Sequence, residues 1–256
     1  MSSFVKFLQG AGARIVPLVP NMSEEETEKR LAKLNGVFLP GGDGDYETYA
    51  RYLFKRLKEI NDEGTYLPLW GTCMGYESIA NFSAEHGDPN ERMYLTHTSL
   101  PLHFVADPRD SQMYGQLQDV AFLFENHNYT YNGHNWGINP KRFETDPGLK
   151  AMFDVTAISY LPDDGRAFVA SIEGKSYHFF GTLFHPEMAS QLFIDNYGAN
   201  HEWLSIKLNR HFSDYFVYLA RHSPNKYGDF LQVQADIIEN APTILTENQD
   251  LVYVFN

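Results

Sequence analysis

Apolar residues fall on one helical face at Phe4, Phe7, Leu8 and Ala11, and Gly12 stands where that helix would end. The apolar run 15–19 predicts a strand. Ser23-Glu24-Glu25-Glu26 has the spacing of a capping box and predicts a second helix, with Leu31 and Leu34 as its late apolar positions. The run 36–40 predicts a buried strand that passes straight into Gly41-Gly42-Asp43-Gly44-Asp45. Tyr49, Leu53, Leu57 and Ile60 recur at i, i+4, i+8 and i+11, a third helix. Residues 67–70 form the next short apolar run. Helix and strand alternate, which predicts an α/β fold with a parallel-core sheet covered by helices on both faces.

Between residues 84 and 148 the pattern is less regular. Residues 100–105 read as a strand and 119–124 as a short helix. Residues 126–139 are rich in Asn, Tyr, Gly and His, which is loop chemistry. Residues 155–161 and 167–173 flank Pro162-Asp163-Asp164-Gly165 and predict an antiparallel hairpin extension. Residues 176–184 predict a strand leading into His185-Pro186-Glu187. A last helix is expected over 203–221, with Leu204, Leu208, Phe212, Tyr215, Phe216 and Leu219 apolar. Beyond Pro224 the chain ends in Leu251-Val252-Tyr253-Val254-Phe255, apolar enough to pack. No internal repeat or low-complexity linker is seen.

A length of 256 residues fits one large domain or two small ones. The formal net charge of −13 argues against a nucleic-acid partner, since phosphate backbones require a basic surface. It does not argue against a small acidic substrate, because a local pocket can be basic on an acidic protein. No apolar run approaches the length of a membrane span, so no membrane partner is expected. The first residues, Met1-Ser2-Ser3-Phe4-Val5-Lys6-Phe7, lack the pattern of a signal peptide. Asn-x-Ser/Thr sequons occur at Asn21, Asn81 and Asn128.

The chemistry centres on Gly71-Thr72-Cys73-Met74-Gly75-Tyr76-Glu77. A short apolar strand, a tight Gly-x-Cys-x-Gly turn and a helical continuation make the geometry of a nucleophile elbow, with Cys73 at its apex. A helix N-terminus favours a thiolate placed at it. Cys73 is the only cysteine, and its alternative reading is a buried small hydrophobe. A cysteine nucleophile needs a base and the base an orienting group. His185, at a strand end and fixed by Pro186, and Glu187 two residues on, fit those roles; a plain strand exit is the alternative. The Met74 N–H and the Gly42 N–H are candidate oxyanion donors, with a plain tight turn as the alternative at Gly41-Gly42. With one cysteine, no His-Glu-x-x-His and no third ligand near His127 and His134, neither a metal nor another cofactor is expected.

Together, Phe38-Leu39-Pro40-Gly41-Gly42, the Cys73 segment, Gly133-His134-Asn135-Trp136-Gly137-Ile138 and Gly181-Thr182-Leu183-Phe184-His185-Pro186-Glu187 resemble the class I glutamine amidotransferase-like hydrolases (a flavodoxin-like fold), and within them the γ-glutamyl hydrolases. The match runs from about residue 4 to 222. The resemblance implies a hydrolase domain over 1–222 and a C-terminal extension over 223–256. It implies a cysteine-type omega peptidase that cleaves γ-glutamyl bonds of folate polyglutamates or γ-glutamyl peptides through a thioester. Cys73, His185 and Glu187 would be catalytic, Gly42 and Met74 oxyanion donors, and His134 and Glu77 substrate-binding. Glu77 stands where many glutaminases carry Gln, which favours a stand-alone hydrolase. Arg14, Lys55 and Arg92 are candidates to meet an acidic substrate. The resemblance implies a lysosomal, vacuolar or secreted location and allows a homodimer. The alternatives are a glutaminase or small γ-glutamyl amine hydrolase on the same fold, or an inactive binding relative. The family also carries a strand ahead of the helix at Phe4, and the tail beyond Pro224 is expected partly to cover the surface that strand would fill.

Overall fold

The computed structural model describes residues 1–191, 193–194, 197–246 and 251–255. Helix α1 (Ser2–Gly10) buries Phe4, Phe7 and Leu8, as their spacing predicts, and Val5 besides; Ala11 is its half-buried C-cap. Helix α2 (Glu24–Leu31) starts at Ser23, whose hydroxyl accepts a hydrogen bond from the Glu26 N–H, as its capping pattern predicts. Strand β1 (Val37–Leu39), helix α3 (Glu47–Asp62), strand β2 (Leu69–Thr72) and helix α4 (Met74–Ser83) follow. Then come strands β3 (Glu91–Leu100) and β4 (His103–Phe104), a 3₁₀ stretch (Gly115–Phe122), helix α5 (Leu123–Asn126) and strand β5 (Thr130–Gly137). Helices α6 (Pro140–Thr145) and α7 (Pro147–Met152) lead into strands β6 (Phe153–Tyr160), β7 (Ala167–Gly174) and β8 (Phe179–Thr182). Helices α8 (Met188–Gln191), α9 (Trp203–Ala220) and α10 (Phe230–Asp236) and strands β9 (Thr243–Leu245) and β10 (Leu251–Tyr253) complete the order.

Six strands form the main sheet in the order β1-β2-β8-β7-β6-β4. β1, β2 and β8 run parallel, and β7, β6 and β4 extend the sheet antiparallel from β8. The expected hairpin is the β6–β7 pair. The alternation of side chains along β2 and β8 explains helices on both faces. Trp70 and Phe180 stack at 5.5 Å and meet Phe212, Phe216 and Tyr215 of α9. On the other face Phe179 packs on Phe54 of α3, and Gly181 lies under Tyr76 and Ile79 of α4. Each of these strand residues is essentially excluded from water, which matches the unbroken apolar runs in the sequence.

Three expectations are corrected. Residues 15–19 are not a strand. Pro17 lacks a ladder donor, and the segment's carbonyls find other partners: Ile15 O accepts from the Ile238 N–H at 2.9 Å and Pro17 O from Arg30 Nη1 at 2.6 Å. Residues 126–139 are not a loop throughout, because β5 occupies Thr130–Gly137 and pairs antiparallel with β3 as a separate ribbon. The strand expected over 100–105 is split, with β3 ending at Leu100 and β4 covering only His103 and Phe104. The tail packs against α1, α2 and the 15–19 segment. Asn225 donates to the Leu31 and Leu34 carbonyls, Arg30 pairs with Asp236 at 3.6 Å, and β10 lies against α1. Among the described residues no strand joins the outer edge of β1.

Helix α4 can sit directly on β1 only because residue 75 has no side chain. A Cβ there would lie 2.1 Å from the Leu39 carbonyl oxygen. Gly75→Ala is therefore expected to cost about 2–3 kcal/mol by overpacking. A urea titration checks this: the midpoint falls with the slope unchanged. A cost below about 0.5 kcal/mol, the range of neutral surface changes, would contradict the contact.

Candidate active site

Strands β2 and β8 are neighbours in parallel register, Thr72 opposite Thr182. Their carboxyl ends therefore open on the same edge of the sheet, where α/β folds place ligands. The Cys73 N–H donates to the Thr182 carbonyl at 2.8 Å, so the turn after β2 is tied to the end of β8. Cys73 itself has φ +53° and ψ −114°, a strained conformation for a residue with a Cβ, and it caps the N-terminus of α4. This is the elbow the Gly-x-Cys-x-Gly pattern predicts. Three residues past the end of β8, His185 reaches the same point.

His185 and Cys73 are near neighbours, within electrostatic reach of each other. A Cβ on Gly41 would fall 2.9 Å from both Cys73 Cβ and His185 Cε1, which shows how closely the Gly41-Gly42 loop covers the pair. His185 Nδ1 is held by Glu187 Oε1 at 2.7 Å, leaving Nε2 for the sulfur side. Glu187 is fully buried, and its Oε2 has no hydrogen-bond partner among the described residues. Burial pushes the His185 imidazole toward neutrality. The Glu187 and Cys73 charges outweigh that burial, and the imidazole is held protonated well above the ordinary histidine range. A buried carboxylate, an imidazolium and a sulfur thus form one charge cluster. Such a cluster can hold a thiolate ready and pass a proton between sulfur side and substrate.

The other sequence candidates are distributed around this core. Met74 opens α4, so its N–H is among the first four of the helix and has no intrahelical acceptor. Gly42 is exposed with φ +144°, one residue beyond the point of closest approach, which is at Gly41. Glu77, in the first turn of α4, has its carboxyl pushed up to about 7 by burial; His185 opposes that shift, and Asp88 and Asp43 reinforce it. His134 on β5 is buried. Its imidazole is pushed down to about 4, first by burial and then by the positive His185. The Met93 and Trp136 backbone groups lie beside its ring, but neither nitrogen has a well-aligned hydrogen bond. Arg92 stands over the Tyr94 ring on β3, and Lys55 pairs with Glu59 on the outer face of α3, so neither is drawn into the Cys73 cluster. Arg14 is exposed.

Sequence reasoning missed several neighbours. The Gly133 carbonyl lies 3.9 Å from Cys73 Sγ. The Tyr131 carbonyl accepts the His185 N–H at 2.8 Å, and Tyr46 lies within electrostatic reach of Cys73 and Glu77. Gly133 and Tyr131 were hidden because β5 is read as loop. Tyr46 follows the Gly-Gly turn with nothing in its neighbours to single it out.

The whole arrangement can be set beside known proteins. The model of the family "Glutamine amidotransferase class-I" matches residues 6–202. A solved structure described as a GMP synthase component from Thermoplasma acidophilum superposes with a TM-score of 0.50 at 17% identity over 86% of this chain and 87% of that one, a likeness of fold alone. Gamma-glutamyl hydrolase of Mus musculus is 30% identical over 96% of this chain and 79% of its own length. Gamma-glutamyl hydrolase B of Dictyostelium discoideum is 29% identical over the full chain and 76% of its own length. The chain belongs to the class I glutamine amidotransferase family and, within it, to the gamma-glutamyl hydrolases.

His134 gives the site a testable acid limit. Its folded pKa lies below the ordinary value of 6.5, so the unfolded chain binds the proton more readily. The stability it contributes is full above about pH 6.5 and is lost as pH falls through about 4. His134→Asn should remove up to about 3 kcal/mol of that pH dependence. Urea midpoints of both proteins at pH 7.5 and pH 4.5 check this. Equal slopes against pH would contradict the assignment of a buried neutral imidazole. Glu77 has the opposite sign: its contribution is full below the ordinary carboxylate range and is lost as pH rises through about 7.

Proposed function

We propose that the chain is a cysteine hydrolase that cleaves γ-glutamyl bonds of folate polyglutamates or γ-glutamyl peptides. The observation that carries this reading is the meeting of Cys73 and a buried, carboxylate-held His185 at adjoining strand ends in a member of the gamma-glutamyl hydrolases.

The Cys73 thiolate attacks the γ-carbonyl carbon, and the C=O electron pair moves onto oxygen. The Met74 N–H and the Gly41-Gly42 loop face the developing oxyanion, with Gly42 as the second donor. His185 gives its proton to the leaving amine nitrogen, the C–N bond breaks and a γ-glutamyl thioester remains on Cys73. Neutral His185 then takes a proton from water, whose oxygen attacks the thioester carbon. Collapse releases a γ-carboxylic acid and restores the thiolate and imidazolium. Glu187 stabilises the imidazolium in both halves and keeps the ring aligned. Neutral His134 lines the substrate side, and Glu77 is divided between its acid and its carboxylate form near pH 7. No step in this sequence calls for a metal or organic cofactor.

The test is release of glutamate or shortened product from a γ-linked polyglutamate, with an α-linked peptide and glutamine as controls. The purified chain is expected to turn over the γ-linked substrate, and Cys73→Ala to lose at least about 10³-fold in kcat. Glu187→Gln should lose less, about 10- to 100-fold, because it leaves nucleophile and base in place. Turnover of glutamine in preference to the γ-linked chain would overturn the substrate assignment. Undiminished turnover by Cys73→Ala would overturn the mechanism.

A further inference from the structure

Two of the described non-glycine residues with positive φ lie in the elbow and in the neighbouring β3–β5 ribbon. One is Cys73. Another is His97, at φ +49°, in a register irregularity of β3 between Leu95 and Thr98. A bulge of this kind re-aims a side chain. Here it turns the His97 ring toward β5, where Nδ1 and the Tyr131 hydroxyl share a hydrogen bond of 2.6 Å. His97 is exposed, whereas Tyr131 is buried. An exposed residue held in a strained conformation to reach one buried hydroxyl calls for an explanation.

Tyr131 holds His185 in two ways. Its carbonyl accepts the His185 N–H at 2.8 Å, and its ring stands edge-on to the imidazole, centroids 6.0 Å apart at 74°. Phe4 bounds the same imidazole at 6.0 Å. With Nδ1 pinned by Glu187, these two rings limit how the imidazole can tilt about that bond, and so limit where Nε2 points. The Tyr131 ring is in turn fixed at its far end by His97. Tyr197 stacks on His97 at 4.0 Å, and Gly198 lies against the His97 carbonyl so closely that a Cβ would come to 2.1 Å. The bond to His97 is therefore clamped from outside.

We propose that Tyr131 and His97 are positioning residues: their hydrogen bond fixes the ring against which His185 rests and so sets the alignment of the imidazole on Cys73. The inference rests on His185 being the base of Cys73. It assigns a role to residues on the β3–β5 ribbon, outside the elbow and the His-Pro-Glu strand.

Because Cys73 is the only cysteine, its alkylation by iodoacetamide reads the thiolate directly, independent of any substrate. In the unsubstituted chain, with His185 as its base, Cys73 is expected to be alkylated at pH 6 as well as at pH 9.5. His97→Ala and Tyr131→Phe are each expected to lower the pH 6 rate about tenfold, and to leave the rate at pH 9.5 within about twofold. Both should lower kcat on the γ-linked substrate with KM unchanged. The double variant should lose no more than either single one, since both remove the same bond. His97→Gln, which keeps a hydrogen-bonding group in reach, should recover most of the loss. A raised KM with kcat and the alkylation profile unchanged would make the pair a substrate wall and overturn the proposal. Equal losses at pH 6 and pH 9.5 with a lowered Tm would reduce it to packing and overturn it too. Absence of pH 6 alkylation in the unsubstituted chain would sink the assignment of His185 as base. Its presence there, untouched in both variants, would sink the positioning role alone.

Discussion

A protonated imidazole buried against a sulfur is an expensive arrangement, and the rest of the structure follows from how it is held. Burial alone would discharge His185. The Glu187 carboxylate at 2.7 Å and the Cys73 sulfur reverse that preference. Neither interaction survives a displacement of an ångström or two, so both partners must be carried on rigid elements. The parallel pairing of β2 with β8 supplies that rigidity. Trp70 and Phe180, stacked between sheet and α9, lock those two strands beside each other.

The cost of the elbow is distributed into the fold. Cys73 adopts a conformation that few residues with a side chain tolerate, and it can do so because the chain on both sides is fixed. Its N–H is bonded to Thr182, and its carbonyl accepts the Glu77 N–H in the first turn of α4. Gly75 then lets α4 descend onto Leu39. Gly41 lets the β1 loop close over sulfur and imidazole together. Strain at one residue is thus balanced by backbone hydrogen bonds and close packing that do not depend on substrate. The ribbon of β3 and β5 closes the remaining side and brings a neutral His134 and the Gly133 carbonyl to the cluster.

Much of this was legible in the chain. The unbroken apolar runs at 36–40 and 67–70 marked strands buried on both faces. The serine-led capping box placed α2, and the i, i+4, i+8 spacing of Tyr49, Leu53 and Leu57 placed α3. Cys73, His185 and Glu187 were legible because each lies beside a strong local signal, a glycine-bounded turn or a proline after a strand. The β3–β5 ribbon was not. β5 reads Thr-Tyr-Asn-Gly-His-Asn-Trp-Gly, and its burial follows contacts with the site, not an alternation of apolar and polar residues. The strand expected at 15–19 failed for the reverse reason. Its apolar residues suggested a ladder, but a strand also requires a partner, and its carbonyls are taken by Arg30 and Ile238. Periodicity reports which side chains are buried; it does not report which backbone is paired.

The proposed mechanism turns on a covalent bond to one atom, Cys73 Sγ. Mixing the chain with a γ-linked polyglutamate, quenching in acid within the first turnover and weighing the Cys73 peptide tests it most directly. The expected result is a mass increment equal to the γ-glutamyl acyl portion of the substrate, present on the Cys73 peptide alone and absent after Cys73→Ser at neutral pH. Steady turnover with no acyl group on Cys73 at any quench time, or an acyl group on another residue, would contradict it.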